Sequence, residues 1–407
     1  MRLRELDLTS YRNYERETLT FADGVTLFYG QNAQGKTNIL EAIFLCTCAR
    51  SHRTGRDTEL IKAGHDGYRV GIDYETDRSE SESLSLAYDQ TQARRTIEHN
   101  GIRLQRVADL MGLFHAVIFA PEDLAIVKDG PSERRRFLDL LISQQKPRYF
   151  RELSVYLHIL NQRNKLLKRF REEDSGQNDM LQLDIWDEQL AKSGAYVMAT
   201  RQFYAAQLEK KAAAALAHIT GDGETLSLKY KSFGAKSEDE ASIETEYLQR
   251  LHHGRRDDIL RGSTSAGPHR DDLEIRLDGF DVRAYASQGQ QRSITLALRI
   301  AELRILHEET SEAPILLLDD VMSELDVTRR TNLLTAIQGY QVLVTCTDLH
   351  QVFSPELATA VYEERSDLGR INPAESDRLS NLGTINFYKV ANGSVSYRGS
   401  VNKTEND

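Results

Sequence analysis

The stretch that decides the fold is Gly30-Gln31-Asn32-Ala33-Gln34-Gly35-Lys36-Thr37, which fits the pattern G-x-x-x-x-G-K-[ST] at every fixed position. The residues before it, 25–29, form an apolar run typical of a buried strand, and residues 38–46 are apolar at helical spacing. A strand, a glycine loop and a helix in this order are the context that a phosphate-binding loop requires. The sequence therefore predicts a nucleotide site at this loop.

The positions of this loop have separate chemical roles. The glycines let backbone N–H groups turn inward, and the N-terminus of the following helix adds partial positive charge. Lys36 is placed to reach the β- and γ-phosphates of ATP, and the Thr37 hydroxyl to ligate Mg²⁺. The predicted nucleotide-binding residues here are Gly30, Gln31, Asn32, Ala33, Gln34, Gly35, Lys36, Thr37 and Asn38.

Length and composition limit the class of protein. The 407 residues suffice for two or three domains of roughly 150 residues each. No apolar run approaches the roughly 18 residues of a membrane span, and the N-terminus lacks a signal-peptide core, so we expect a cytoplasmic protein without membrane contact. The net charge of −10 does not indicate a protein that binds nucleic acid through its overall charge. Any DNA binding must therefore come from local basic patches.

Residues 1–120 are predicted to form the first part of the nucleotide-binding domain. Arg12 and Asn13 lie in a turn between two strands, where they are either solvated or beside the nucleotide, and we include both as candidate nucleotide contacts. Alternating segments within 68–105, with Asn100-Gly101 between two of them, predict an attached antiparallel sheet.

Residues 121–265 are predicted to be an inserted, mainly helical domain. Two long helical patterns in 147–219 flank a polar turn at 171–179, and an acidic loop follows at 235–246. Arginines in the first turn of an earlier helix oppose its dipole, so they need phosphate or carboxylate partners, with Asp123 and Asp139 available as carboxylates. The candidate DNA-contacting residues are Arg134, Arg135, Arg136 and Arg270.

Residues 266–407 are predicted to complete the nucleotide-binding domain. Asp278-Gly279 predicts a hairpin that closes onto Val282–Tyr285, and a Ser-x-Gly loop then opens a helix that forms a second anion site. The candidate residues of that second site are Ser287, Gly289 and Gln290. Residues 353–381 receive no assigned role.

An apolar strand at 315–318 ends in two carboxylates, which are costly to bury without a metal or water to order. Asp319 fits as the Walker B carboxylate, which supports Mg²⁺ from behind its direct ligands, and Asp320 fits as the group that orients or deprotonates the attacking water. A last strand, 341–346, leads to Thr347 and Asp348. This order of motifs resembles the head of an ATP-binding-cassette ATPase, an α/β fold in which a mixed sheet carries the phosphate loop. In that class the Ser-x-Gly motif caps the γ-phosphate of a second subunit, which implies an ATP-dependent homodimer.

Several blocks further resemble the RecF DNA replication and repair family, in order and over nearly the full chain. They are Tyr11–Tyr14, Gly30–Asn38, Pro121–Leu124, Arg134–Asp139, Gly267–Asp272, Ser287–Arg292, Leu317–Asp326 and Phe387–Val390. The resemblance implies ATP and Mg²⁺ as cofactors, weak DNA-stimulated ATPase activity, and binding to gapped DNA or single-strand/double-strand junctions. It also implies action with RecR, and through the RecO pathway, in placing RecA on DNA.

The sequence departs from the cassette pattern at two places. Asp320 stands where a glutamate is usual, which fits slow hydrolysis, and Thr347 or Asp348 stands where a switch histidine is usual. Two alternatives remain: an ATP-gated interaction switch without a catalytic role, and a transporter-type cassette subunit. The blocks around Pro121–Leu124 and Gly267–Asp272 argue against a transporter subunit.

Overall fold

The computed structural model describes residues 1–172, 177–221, 223–233, 239–365, 368 and 383–401. Parts of the polar turn predicted at 171–179 and of the acidic loop predicted at 235–246 lie outside these residues, as does much of 353–381. Across the described residues, no helix is both long and apolar enough to cross a bilayer.

Fifteen strands are present in the described part of the chain. In chain order they are β1 (Arg2–Tyr11), β2 (Tyr14–Thr20), β3 (Val25–Tyr29), β4 (Gly67–Thr76), β5 (Ser79–Asp89), β6 (Arg94–His99), β7 (Ile102–Arg103), β8 (Ala116–Phe119), β9 (Leu226–Lys231), β10 (Asp272–Leu277), β11 (Phe280–Asp281), β12 (Ile315–Asp319), β13 (Val342–Cys346), β14 (Ile385–Ala391) and β15 (Ser394–Val401).

Eleven α-helices connect or cover these strands in the same described ranges. They are α1 (Lys36–Cys48), α2 (Ala125–Lys128), α3 (Pro131–Gln145), α4 (Pro147–Glu172), α5 (Gln177–Thr220), α6 (Glu240–Arg261), α7 (Val282–Tyr285), α8 (Gln288–Thr310), α9 (Val321–Glu324), α10 (Val327–Ala336) and α11 (Pro355–Tyr362).

The sheet that carries the phosphate loop has the strand order β15-β14-β3-β13-β12-β8. Its five strands from β14 to β8 are parallel, and β15 pairs antiparallel with β14 at one edge. Every residue of β3, β12 and β13 is buried, as expected for the apolar runs of a parallel sheet that is covered on both faces. Because these strands run in one direction, the residues that follow them meet at one edge.

A second, antiparallel sheet has the order β2-β1-β4-β5-β6-β7. Its strands alternate as the sequence predicts: Leu6 and Leu8 of β1 are buried, whereas Asp7 between them is exposed. Asn100-Gly101 forms the turn between β6 and β7, with positive φ at both residues. The predicted α/β head, with a mixed sheet and an attached antiparallel sheet, is confirmed by this topology.

The chain divides into two compact units, 1–124 with 215–223 and 295–407, and 125–214 with 224–294. The sequence places the start of the inserted part at 121 and its end at 265. In the structure, residues 266–294 pack with the inserted unit, because β10 pairs with β9 and Asp272 forms an ion pair with Arg134 of α3.

Helices α4, α5 and α6 of the inserted unit pack around a buried arginine. Arg163 is fully buried and donates hydrogen bonds to Asp187 at 2.6 Å, to Asp258 at 2.7 Å and to the Thr264 hydroxyl at 2.8 Å. The guanidinium thus links α4 to α5, to α6 and to the segment that follows α6, and all of these bonds lie in the interior of the unit.

The hairpin predicted at Asp278-Gly279 forms, with β11 (Phe280–Asp281) paired to β10, but the strand predicted at Val282–Tyr285 is wrong, because those residues are helix α7. The second strand ends after Asp281, whose carboxylate accepts a hydrogen bond from the backbone N–H of Arg283 at 2.8 Å and caps α7. An aspartate at this position favours a helix start over a continued strand, because its side chain satisfies an N–H of the first turn.

Candidate nucleotide site

The phosphate loop occupies the connection between β3 and α1 and depends on its two glycines. Gly30 has φ +151° and Gly35 has φ +116°. A Cβ atom on Gly30 would lie 2.3 Å from the Val390 carbonyl oxygen, and one on Gly35 would lie 2.6 Å from Nδ2 of Asn13. Any other residue at either position would force the loop away from its supports.

Lys36 is buried at the first position of α1. Its ammonium donates hydrogen bonds to the carbonyl oxygens of Gly30, at 2.6 Å, and Gln31, at 2.8 Å. Burial lowers the pKa of Lys36, and the nearby carboxylate of Asp320 opposes that shift. A phosphate oxygen entering the loop would compete with the two carbonyls for this ammonium, so the amine is held at the phosphate-binding position.

The carboxylate of Asp319 lies beside the hydroxyl of Thr37, as a shared Mg²⁺ requires. Thr37 donates to Asp319 Oδ1 at 2.8 Å, and the Thr345 hydroxyl donates to the same oxygen at 2.8 Å. Burial raises the pKa of the Asp319 carboxyl, whereas these two hydrogen bonds lower it. Hard oxygen donors of this kind suit Mg²⁺, so the Thr37 hydroxyl fits as a ligand and Asp319, hydrogen-bonded to it, fits as the carboxylate that supports the ion from behind its ligands.

Asp320 has an unusual backbone conformation and an unused acceptor. Its φ is +54°, and its N–H donates to the Thr345 hydroxyl at 2.9 Å. Its buried Oδ1 atom has no hydrogen-bond partner among the described residues. A buried carboxylate oxygen without a partner at this position can accept from water, which is the role the sequence assigns to it.

The two candidate residues of the β1–β2 turn have different surroundings. Asn13 lies at the phosphate loop, where its Nδ2 donates to the Gln34 carbonyl at 2.8 Å and its Oδ1 accepts from Asn38 at 2.8 Å. Arg12 instead forms a bidentate ion pair with the buried carboxylate of Glu41, with distances of 2.8 and 2.6 Å. Its guanidinium is engaged inside the protein, whereas Asn13 supports the loop.

Two residues that the sequence analysis did not select lie close to this site. The guanidinium of Arg53 donates to Asn38 Oδ1 at 3.2 Å and lies 3.7 Å from the carboxylate of Glu122. The charges of Glu122 and Arg53 contribute in opposite directions to the pKa of Asp319. Glu122 follows β8, which is a parallel strand of the same sheet. Residues after each parallel strand lie at the same edge, and this signal in the sequence could have identified Glu122.

Asp348, a candidate replacement for the switch histidine, is occupied as a helix cap. Its Oδ1 accepts from the N–H of His350 at 2.9 Å and from the Tyr362 hydroxyl at 3.1 Å. Thr347 lines a cavity of about 420 Å³ together with Gly30 and Gln31. Thr347 is therefore the residue of this pair that borders the phosphate loop.

The Ser-x-Gly motif opens α8, in the inserted unit, with a reciprocal cap. The Ser287 hydroxyl accepts from the N–H of Gln290 at 3.3 Å, and the Gln290 side chain accepts from the N–H of Ser287 at 2.8 Å. Ser287 is exposed, and Gln290 also donates to Glu224 at 2.9 Å. The motif thus presents a rigid, solvent-facing helix start, with the N–H groups of Gln288 and Gly289 in its first turn.

The four candidate DNA-contacting arginines differ in their partners. Arg134 is buried in a bidentate ion pair with Asp272, at 2.7 and 2.9 Å, and Arg135 donates to the Asp271 carbonyl at 2.6 Å. Arg136 is 40% exposed beside Glu133, and Arg270 is exposed. The first two are engaged inside the unit, and the last two face solvent.

The carboxylates expected to pair with these arginines have other partners. Asp123 forms an ion pair with Arg299, and Asp139 accepts from Arg201 at 2.8 and 3.0 Å. The expected kind of pairing is therefore present, but Arg134 finds a different carboxylate, one that lies 138 residues away in the chain.

A phosphate loop and a strand-end carboxylate pair on one edge of a largely parallel sheet, with an attached antiparallel sheet, define an ATPase head of the ATP-binding-cassette type. The family described as "RecF/RecN/SMC N terminal domain" matches residues 2–368. The DNA replication and repair protein RecF of Ruminiclostridium cellulolyticum is 41% identical over 350 residues, which are 86% of this chain and 93% of that protein.

Solved structures agree with this assignment. The chain is 35% identical to "the recombination mediator protein RecF-ATP in RecFOR pathway", with a TM-score of 0.84 and 97% of each chain covered. An Smc head domain from Pyrococcus furiosus is 15% identical, with a TM-score of 0.53 over 98% of this chain and 96% of that one, and it supports the fold alone. The chain belongs to the RecF family.

Proposed function

We propose that this protein is an ATP-dependent DNA-binding protein of recombinational repair and replication, which dimerises around ATP and resets by slow hydrolysis. The observation that carries the proposal is the phosphate loop with Thr37, Asp319 and Asp320 joined at one sheet edge. The relatives named above support it, since one is a DNA replication and repair protein and the other is a recombination mediator protein with ATP.

Each residue of the site has a role in this proposal. Lys36 and the loop N–H groups bind the β- and γ-phosphates. Thr37 would hold Mg²⁺, with Asp319 hydrogen-bonded behind it, and the ion would neutralise phosphate charge. Asp320 accepts a proton or hydrogen bond from the attacking water. The side chain of Asp320 is shorter than that of a glutamate, which is consistent with slow hydrolysis that sets how long the dimer lasts.

The dimer follows from the second anion site. Ser287 and the first turn of α8 cap the γ-phosphate bound to a second copy of the chain, so each ATP is buried between two subunits. Two exposed aromatic rings support an interface here: Phe280 and Tyr285 are 61% and 73% exposed, and their ring centroids are 5.7 Å apart. Exposed aromatic side chains of this kind are enriched at the centres of protein interfaces.

Asp320→Asn should retain ATP binding, trap the ATP-bound dimer, and lower the hydrolysis rate by about a hundredfold or more, because an amide cannot take a proton from water. The rate is measured as phosphate release at saturating ATP, and dimerisation by light scattering. Hydrolysis at the wild-type rate would show that Asp320 does not activate the water, and it would favour the interaction switch, in which turnover is incidental.

DNA binding in this proposal uses the exposed arginines of the inserted unit. The dimer holds gapped DNA or a single-strand/double-strand junction, and RecR and the RecO pathway act with it to place RecA. Two basic faces that meet only in the dimer would let a protein of net charge −10 bind DNA under ATP control.

The double variant Arg136→Gln, Arg270→Gln should weaken DNA binding and flatten the log–log dependence of affinity on salt by about one unit for each lost phosphate contact. Affinity is measured for a gapped duplex at several salt concentrations with ATP. Arg94→Gln, at an exposed position of β6, is the control and should leave the slope unchanged. A wild-type slope in the double variant would remove both arginines from the DNA contact.

A further inference from the structure

The turn between β14 and β15, Asn392-Gly393, lies directly against the phosphate loop. The backbone N–H of Asn392 donates to the Gln34 side-chain oxygen at 2.6 Å, and the N–H of Gly393 donates to the Gln34 carbonyl at 3.3 Å. A single residue of the loop therefore receives two backbone hydrogen bonds from a segment 358 residues further along the chain.

The same residue of the loop is held from a second side. The Gln34 carbonyl also accepts from the side chain of Asn13, and Asn13 in turn accepts from Asn38 at the start of α1. A Cβ atom on Gly393 would lie 2.5 Å from the Asn13 carbonyl oxygen, so the two turns are in close contact. Gln34 is thus fixed between the β1–β2 turn and the β14–β15 turn.

The β14–β15 hairpin also supports the beginning of the loop. Strand β14 pairs in parallel with β3, and Val390 approaches Gly30 so closely that a Cβ on that glycine would lie 2.3 Å from the Val390 carbonyl. Contacts at Gly30 and at Gln34 lie on either side of Gln31, Asn32 and Ala33 in the loop. The C-terminal hairpin therefore supports the loop at two separate positions.

We propose that Asn13 and the Asn392-Gly393 turn form a brace that holds the phosphate loop in its ATP-binding conformation. The residues of the brace act as positioning residues: they act on ATP through Gln34 and Gly30. A glycine-containing loop has many accessible conformations when unsupported, and ordering it on binding would reduce affinity. This inference rests on the proposed function, because it assumes that the loop binds ATP.

Two nearly identical turns in this chain allow a matched test. Asn392-Gly393 has φ values of +51° and +71°, and Asn100-Gly101, between β6 and β7, has +52° and +74°. An alanine at either glycine meets the same backbone strain. A Cβ at Gly393 collides with Asn13, whereas a Cβ at Gly101 meets nothing within 4 Å.

The experiment compares Gly393→Ala with Gly101→Ala in the full chain. We expect Gly393→Ala to weaken ATP binding about tenfold or more, measured by titration with a fluorescent ATP analogue, and Gly101→Ala to bind as the wild type does. The KM for ATP should rise in Gly393→Ala, while kcat at saturating ATP stays near the wild-type value, because the catalytic carboxylates are unchanged. The melting temperatures of both variants measure the stability lost to backbone strain, which is a separate quantity from the loss of ATP affinity.

A second variant tests the brace without altering the turn. Gln34→Met keeps the length of the side chain and removes the oxygen that accepts from Asn392, and it should also raise the KM for ATP. Wild-type ATP affinity in both Gly393→Ala and Gln34→Met, or an equal loss in Gly101→Ala, would overturn the brace. Undiminished ATP binding by Lys36→Met would instead show that the loop is not the site, and so the two failures are distinguishable.

Discussion

Lys36→Met should lose ATP affinity by about a hundredfold, since hydrogen bonds from a charged donor contribute roughly 1.5–3 kcal/mol each and this lysine is the only cationic side chain of the loop. Its ammonium already lies against the loop carbonyls of Gly30 and Gln31, and phosphate oxygens would replace those acceptors. Lys36→Arg should keep ATP binding and lose hydrolysis, because it retains the charge but changes its position.

Equilibrium titration with a fluorescent ATP analogue measures both variants. Lys229→Met, at an exposed position of β9 in the other unit, is the matched control and should bind ATP normally. Undiminished binding by Lys36→Met would mean that ATP binds elsewhere on the protein.

Ser287→Arg should abolish the ATP-dependent dimer while leaving ATP binding to the monomer nearly intact. The exposed Ser287 hydroxyl caps α8. In the proposed dimer this small group faces the phosphate of the second subunit, and an arginine would place a bulky side chain there. Lys36 and Thr37 lie in the other compact unit and are unchanged. DNA-stimulated hydrolysis should disappear with the dimer.

Loss of the helix cap is a second consequence of that substitution, worth about 1 kcal/mol of stability. Ser287→Thr keeps a capping hydroxyl and should retain the ATP-dependent dimer, which separates capping from the interface. Molar mass from light scattering with ATP, with ADP and without nucleotide measures the effect. A Ser287→Arg protein that dimerises on ATP would show that this helix start is not part of the interface.

The sequence is sufficient for the parts of the site that depend on neighbours in the chain. The loop from Gly30 to Thr37, its flanking strand and helix, and the strand that ends at Asp319 are all set by local apolar patterning and glycine geometry. The contact between Thr37 and Asp319 can also be predicted from the sequence. Thr37 lies just after β3 and Asp319 is the last residue of β12, and these two strands run parallel in one sheet.

Contacts between distant segments could not be predicted from the sequence in the same way. The pairing of Arg134 with Asp272, rather than with Asp123 or Asp139, depends on how α3 packs against β10. The ion pair of Arg12 with Glu41 is a second contact of this kind, because nothing near Arg12 in the chain shows that Glu41 would be buried beside it.

The remaining differences between the prediction and the structure occur at small residues that can take either of two structural roles. Asp281 could continue a strand or cap a helix, and in the structure it is the last residue of β11 and caps α7. Gly393 in the sequence indicates only a turn. Its contact with Asn13 depends on the parallel pairing of β14 with β3, which brings the C-terminal hairpin to the phosphate loop.

The central claim is that each ATP is held by Lys36 of one subunit and Ser287 of its partner, and mixing two inactive variants tests it most directly. Ser287→Arg and Lys36→Met proteins should each lack DNA-stimulated ATPase activity when assayed alone. Their heterodimer contains one intact composite site, formed by Lys36 of the first variant and Ser287 of the second, so ATPase activity should recover in part on mixing. A mixture that remains as inactive as its separate components would contradict the central claim.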